Sequence, residues 1–146
     1  MSEAKSTWVR ANWVPAPAFF KLNHACVLIN KAFGGFGCYL CGSSLVRRDF
    51  RDVDVRFIME DAKFLAEFSC SDEQAWNPRW SLLCTLISDW LSSLTGLQVD
   101  FQFQPQGKAN SEHDGAPRRQ VLGIMLDYPG DVSDKTHQLP STPEPA

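Results

Sequence analysis

Three aspartates, Asp52, Asp54 and Asp100, and one glycine-serine pair, Gly42-Ser43, are the residues whose types and spacing could do chemistry together. Asp52 and Asp54 lie two apart in Asp-Val-Asp-Val-Arg-Phe-Ile, which alternates polar and apolar as a strand does, so both carboxylates leave on one face. Asp100 stands between Val99 and Phe101 in a second alternating stretch, Leu97 to Gln104. If the two strands are neighbours, the three carboxylates converge. Like charges a few ångströms apart repel and hold protons more tightly unless cations neutralise them. Mg²⁺, or Mn²⁺ in its place, takes carboxylate and phosphate oxygens and is the expected neutraliser.

Gly42-Ser43 supplies the phosphate side of such a site. It follows the apolar run Phe36 to Cys41, where a residue without a Cβ lets a phosphate approach the backbone and a hydroxyl with nearby N–H groups can bind its oxygens. A lone Gly-Ser carries no information. Shortly ahead of an Asp-x-Asp strand, with a third aspartate after a long helix, it becomes specific. Arg47, Arg48, Arg51 and Arg56 add guanidinium forks suited to phosphate, although each reads equally well as a side chain offset against neighbouring acids. Asp49 reads as a loop cap or an arginine partner, and Arg118 and Arg119 follow a flexible loop further from the set.

The elements that must position these groups are marked by period and punctuation. Ala18 to Phe33 has apolar residues at helical spacing and closes on Gly34-Gly35. Phe36 to Cys41 and Asp52 to Ile58 read as two strands joined by a polar, arginine-rich loop. A short helix follows over Glu60 to Phe68, then a loop over Cys70 to Pro78 carrying Trp76. Trp80, Leu83, Ile87, Trp90, Leu91 and Leu94 give a helix from Arg79 to Thr95 that Gly96 terminates. The strand Leu97 to Gln104, a polar loop Pro105 to Pro117 and a last short strand Arg119 to Leu126 complete the order. This describes an α/β (α+β) unit, a small mixed sheet with flanking helices. Residues 1–17, with Trp8, Trp13, Pro15 and Pro17, form an irregular arm, residues 18–128 the domain, and residues 129–146 a tail of disorder-like composition.

Composition bounds the rest. At 146 residues the chain is about one domain, and 10 Phe and 5 Trp supply enough large side chains for a core. A net charge of −3 leaves no global positive field for extended nucleic acid. No apolar run approaches the ~18 residues of a membrane span, and no apolar block follows a basic start, so the chain reads as cytoplasmic. Five cysteines without an export signal suit a reducing compartment. Cys38 and Cys41 are spaced as a metal or redox pair, but three apart in a strand they face opposite ways. His24, His113 and His137 have no ligand-like spacing to any cysteine.

The stretch CGSSLVRRDFRDVDVRFI resembles the glycine-serine turn and two-aspartate strand of the nucleotidyltransferase superfamily typified by DNA polymerase beta, and TGLQVDFQFQ resembles its strand with the third carboxylate. The length is that of the minimal single-domain type. DFRDVDVRFI, TGLQVDFQFQ and RRQVLGI are similar to small nucleotidyltransferase-like proteins of bacteriophages and prophages. The resemblance covers Ala18 to Leu126 and implies a nucleotidyltransferase core. It places Gly42 and Ser43 on a nucleoside triphosphate, with Ser44, Arg47 and Arg48 beside them as candidate nucleotide contacts, and Asp52, Asp54 and Asp100 on two Mg²⁺ ions.

The implied reaction moves a nucleoside monophosphate from the triphosphate to a hydroxyl acceptor on protein or RNA, with pyrophosphate release and Asp100 assisting deprotonation. The loop after Gly-Ser departs from the pattern by lacking a second glycine. Two other readings keep the same residues, a catalytically silent interaction or antitoxin-like module and a metal-dependent phosphodiesterase. The aromatics Trp8, Trp13, Phe19, Phe20, Trp76 and Trp80 further suggest a homodimer or a protein partner, with the arm contributing.

Overall fold

A computed structural model describes residues 11–71, 77–112 and 119–124. Four strands, β1 (Gly37–Cys41), β2 (Val53–Met59), β3 (Val99–Pro105) and β4 (Gln120–Val121), form one mixed sheet in the order β3-β2-β1-β4. β1 runs antiparallel to β2 and β4, and β2 runs parallel to β3. The helices are α1 (Ala16–Ala32), α2 (Asp61–Phe68), α3 (Pro78–Thr95) and α4 (Gln106–Glu112), with a single 3₁₀ turn at Ser43–Leu45. The expected α/β unit, a small mixed sheet with flanking helices, is what the chain forms.

Alternation sets which face is core. Val53, Val55, Phe57 and Met59 on β2, Val99, Phe101 and Phe103 on β3, and Cys38 and Leu40 on β1 are buried on one face. Leu22, Cys26 and Ile29 of α1, Phe64 and Phe68 of α2, and Trp80, Cys84 and Leu91 of α3 join the same cluster. At its centre the rings of Phe33, Phe57, Phe68 and Phe101 gather around Phe103 at 4.9–5.5 Å, mostly edge to face. The opposite face carries Tyr39, Asp54, Arg56, Asp100 and Gln102, all half-buried. The polar face therefore carries the candidate site residues Asp54, Arg56 and Asp100, and the apolar face packs as core.

The free edge of β3 is closed by α3. Ser88 Oγ accepts the Phe101 N–H at 2.8 Å and donates to its carbonyl at 3.2 Å, Ser92 Oγ accepts the Val99 N–H at 2.9 Å, and Trp80 Nε1 donates to the Phe103 carbonyl at 3.0 Å. Exposed edge groups would otherwise invite pairing with another chain. α3 itself starts on Asn77, whose Oδ1 accepts from Trp80 N at 3.0 Å, and stops at Gly96, φ 73°.

Several boundaries differ from the sequence-based expectation. α1 begins at Ala16 rather than Ala18, because Pro17 fits the first turn, where its missing N–H is no loss. β3 extends to Pro105, and the expected loop beyond it contains α4, which buries Ala109 and whose Gly107 N–H donates to Asp61 Oδ1 at 3.0 Å. Among the described residues β4 spans Gln120–Val121, with Leu122 N donating to the Cys38 carbonyl at 2.9 Å beyond it; residues 125–126 of the expected strand lie outside the described residues. Arm residues lie on their own domain: Val14 is buried, Trp13 N donates to the Ser44 carbonyl at 2.8 Å, and Asn12 Nδ2 to Gln120 Oε1 at 2.9 Å. Trp80, counted with the association surface, is core. The large apolar side chains left more than half exposed on the helices include Phe20 and Leu28 of α1 and Leu82 and Leu86 of α3. Trp8, Trp76, Arg118, His113, His137 and the tail 129–146 lie outside the described residues.

Candidate active site

The site starts where β1 ends. Gly42 has φ 73° and ψ −156°, a backbone region that side chains with a Cβ essentially do not occupy. A Cβ there would overlap Asp54 Oδ2. Gly42 is thus required twice, by its backbone and by the carboxylate packed against it. The glycine of the Gly-Ser turn and the second aspartate of Asp-x-Asp touch one another.

The chain then turns through Ser43–Leu45, where the Ser43 carbonyl accepts from Val46 N at 3.1 Å and Arg47 N at 2.8 Å. This tight turn lets Ser43 line an open cleft of about 390 Å³ together with Arg47, Arg51, Asp52 and Asp54. Ser44 points away. Its side chain is fully buried and its Oγ has no partner, so the structure does not bring it to the cleft as the sequence set had it. Arg48 is exposed and does not line the cleft. Arg47 is already engaged by Asp49 through two hydrogen bonds, 3.1 Å from Nε and 3.0 Å from Nη2, on the exposed lip. Asp49 is therefore an arginine partner, one of its two expected roles.

Asp100 comes to Asp54 through the parallel pairing of β2 and β3, which sets the two residues side by side in register. Arg56, two residues after Asp54 on the same strand face, reaches across to them. Its Nη2 stands 3.2 Å from Asp100 Oδ2 and 4.0 Å from Asp54 Oδ1, and Nη1 donates to the Asp100 carbonyl at 2.8 Å and the Val55 carbonyl at 3.1 Å. Gln102 Nε2 donates to Asp100 Oδ1 at 3.4 Å. Asp100 also borders a second groove, about 260 Å³, between β3 and α3. The three carboxylates therefore occupy one region, with Asp52 and Asp54 on the cleft and Asp100 tied to Arg56.

Burial is the main cause that raises the Asp54 carboxyl above the ordinary aspartate range; Asp100 and Asp52 add to the rise and Arg56 opposes it. A partly buried carboxylate among like charges gains from added positive charge. Among the described residues no three metal-ligating side chains stand close enough, as placed, to enclose an ion. In chemical type the donor set, all carboxylate oxygen, suits a hard divalent cation, and the missing Cβ of Gly42 is what lets the Asp54 carboxylate pack against the turn. Asp52, Asp54 and Asp100 are the residues that would hold it.

The cysteines take no part. All five are free and buried. Cys38 lies on the core face, its thiol raised by a hydrogen bond with Cys26 and by burial, whereas Cys41 lies on the polar face opposite Asp54 in register, pushed up to about 11, chiefly by burial. Both stay protonated and unreactive at neutral pH.

Comparison of the chain with protein-family models, curated proteins and solved structures gives no match. The functional reading therefore stands on the site itself. Of the two roles the sequence leaves open for Arg56, the structure gives the pairing with acids, and the alternation that puts Asp52 and Asp54 on one face puts Arg56 there too. Ser88 and Ser92, spaced four apart on one side of α3, carry the edge-closing signal that a purely apolar period does not score.

Proposed function

We propose that the chain is a metal-dependent nucleotidyltransferase that moves a nucleoside monophosphate from a nucleoside triphosphate to a hydroxyl acceptor, releasing pyrophosphate. The observation that carries this reading is the contact of Gly42 with Asp54, with Ser43 and Asp52 on the same cleft and Asp100 paired to Asp54 in register. A phosphate-binding turn and an acidic cluster with separate roles would not need to touch.

In this reading the Ser43 hydroxyl and the Arg51 guanidinium bind phosphate oxygens at the open side of the cleft. Asp52, Asp54 and Asp100 would hold the divalent ion, and Asp100 takes the proton of the acceptor hydroxyl. When bound, Mg²⁺ supplies charge neutralisation of the phosphates and a lower proton affinity of the acceptor. Gln102 and Arg56 orient Asp100 from either side. The open cleft leaves room for an acceptor hydroxyl on another molecule, protein or RNA.

A second reading has one observation in its favour. Asp100 has both oxygens engaged by protein donors, as a fold retained only for binding another protein would allow. Incubation with each nucleoside triphosphate and Mg²⁺, followed by measurement of pyrophosphate, separates the two. The transferase reading expects release that Asp54→Asn abolishes. No release with any triphosphate and any of several protein and RNA acceptors favours the silent module.

A further inference from the structure

We infer that the outer face of α3, flanked by that of α1, is a contact between two copies of this chain. The inference is independent of what the cleft does.

α3 has the wrong composition for a helix whose outer side meets only water. Leu82, Leu86, Trp90 and Leu94 stand four apart along it and are 59%, 55%, 39% and 39% exposed. Residues four apart form one row on a helix surface. The only charged side chains in these 18 residues are Arg79 and Asp89, whereas the solvent side of a surface helix is usually charged. α1 packs beside α3 and carries Phe20 and Leu28, 62% and 60% exposed, with the exposed His24 midway between them in sequence. Other large apolar side chains left in water, such as Leu65 of α2 and Val121 of β4, stand singly on their elements.

Area, shape and charge point to a second copy as the occupant. The α3 row exposes on the order of 400 Å² of apolar side chain, as much as the largest patch of a typical monomer. With Phe20, Leu28 and the polar atoms between them, the face approaches the roughly 800 Å² per partner that a standard interface buries. A row of residues four apart fits the groove beside the same kind of row on another helix, so a two-fold axis through α3 lets the row mate with its own copy. Trp and Leu without charge are also the composition of an interface core. α3 is neutral, since Arg79 and Asp89 are opposite in sign, so two copies meet through it without like-charge repulsion. The exposed Lys21 and Lys31 of α1 can turn their charged ends to water at the rim. Because α3 covers the apolar face of the sheet and Asp54 stands on the other, pairing leaves both clefts open.

The test is the mass of the full chain in solution, by light scattering and by sedimentation over a range of concentrations. Wild type is expected at twice the chain mass at micromolar concentration. Leu86→Glu changes an exposed position and is expected to weaken association at least about a hundredfold, since it puts an unpaired carboxylate into the contact on both copies. Val121→Glu, an equally polar change on the opposite face of the sheet beside Tyr39, is expected to leave the dimer intact. A wild-type monomer at the highest soluble concentration overturns the inference, whether another protein or nothing covers the row. A dimer that a folded Leu86→Glu leaves intact, or that Val121→Glu breaks equally, also overturns it. If Leu86→Glu does not fold, carbene labelling of wild type decides: side chains of α3 should be labelled less at high concentration than at low, and equal labelling overturns the inference.

Discussion

Replacing Gly42 with alanine tests the tie between the turn and the acidic strand through one added methyl group. The Gly42 backbone, φ 73° and ψ −156°, lies where a residue with a Cβ costs about 1–3 kcal/mol. The methyl would also overlap Asp54 Oδ2 and stand 3.1 Å from Asp54 Cγ. The strand pairing of Asp54 to Cys41 and to Asp100 holds its backbone, so the carboxylate itself must rotate away to make room. At this chain length each kcal/mol moves the melting temperature by about 2–4 °C, so the backbone part alone predicts a fall of about 2–12 °C. In an Asp54→Ala background the overlap is gone and only the backbone part remains, so the same substitution should lower the melting temperature by less. Thermal unfolding of wild type, both single variants and the double variant, followed by circular dichroism without divalent ions, reads both parts. An unchanged melting temperature in Gly42→Ala would refute the backbone argument. Equal losses in the two backgrounds would refute the contact with Asp54.

Three further outcomes follow from the same geometry. Asp54 holds its proton more tightly folded than unfolded, so this stability contribution is present below the unfolded pKa and lost as pH rises through the raised folded value. Asp54→Asn should therefore stabilise the ion-free protein at pH 7 in urea unfolding and lose that advantage below about pH 3.9; destabilisation at pH 7 would contradict it. Ser88→Ala removes the group that both donates to and accepts from Phe101 and should cost about 1–3 kcal/mol in the same assay, with concentration-dependent association through the opened β3 edge. Wild-type stability with no added association would show that the edge needs no closing. Ser43→Ala should weaken triphosphate binding in calorimetry and leave Mn²⁺ binding nearly intact, and unchanged triphosphate affinity would remove Ser43 from the phosphate role.

Much of this site was legible because it is written in period two. Asp52, Asp54 and Asp100 show their shared face through the alternation of Val53, Val55, Val99 and Phe101 around them, and the long helix between β2 and β3 implies the parallel crossover that pairs them. Gly42 was legible as a turn, but its contact with Asp54 was not, since that depends on the β1–β2 register. For Arg56 the sequence leaves two roles open, phosphate contact or a partner of neighbouring acids, and the structure gives the second; its main partner lies on β3, far along the chain. Ser44 shows how local reading fails, because the turn that presents Ser43 rotates the next residue into the core. α4 was hidden because Gln106–Glu112 is polar apart from Ala109 and carries a glycine, and its tie to Asp61 is a long-range one.

Triphosphates labelled in turn on the α and the γ phosphate, incubated with the full chain, Mg²⁺ and mixed protein and RNA acceptors, test nucleotidyl transfer most directly. The α label should pass to a macromolecule and the γ label should leave in pyrophosphate, both lost in Asp54→Asn. Release of the γ label as orthophosphate, or retention of both labels on intact triphosphate with every acceptor, would contradict it.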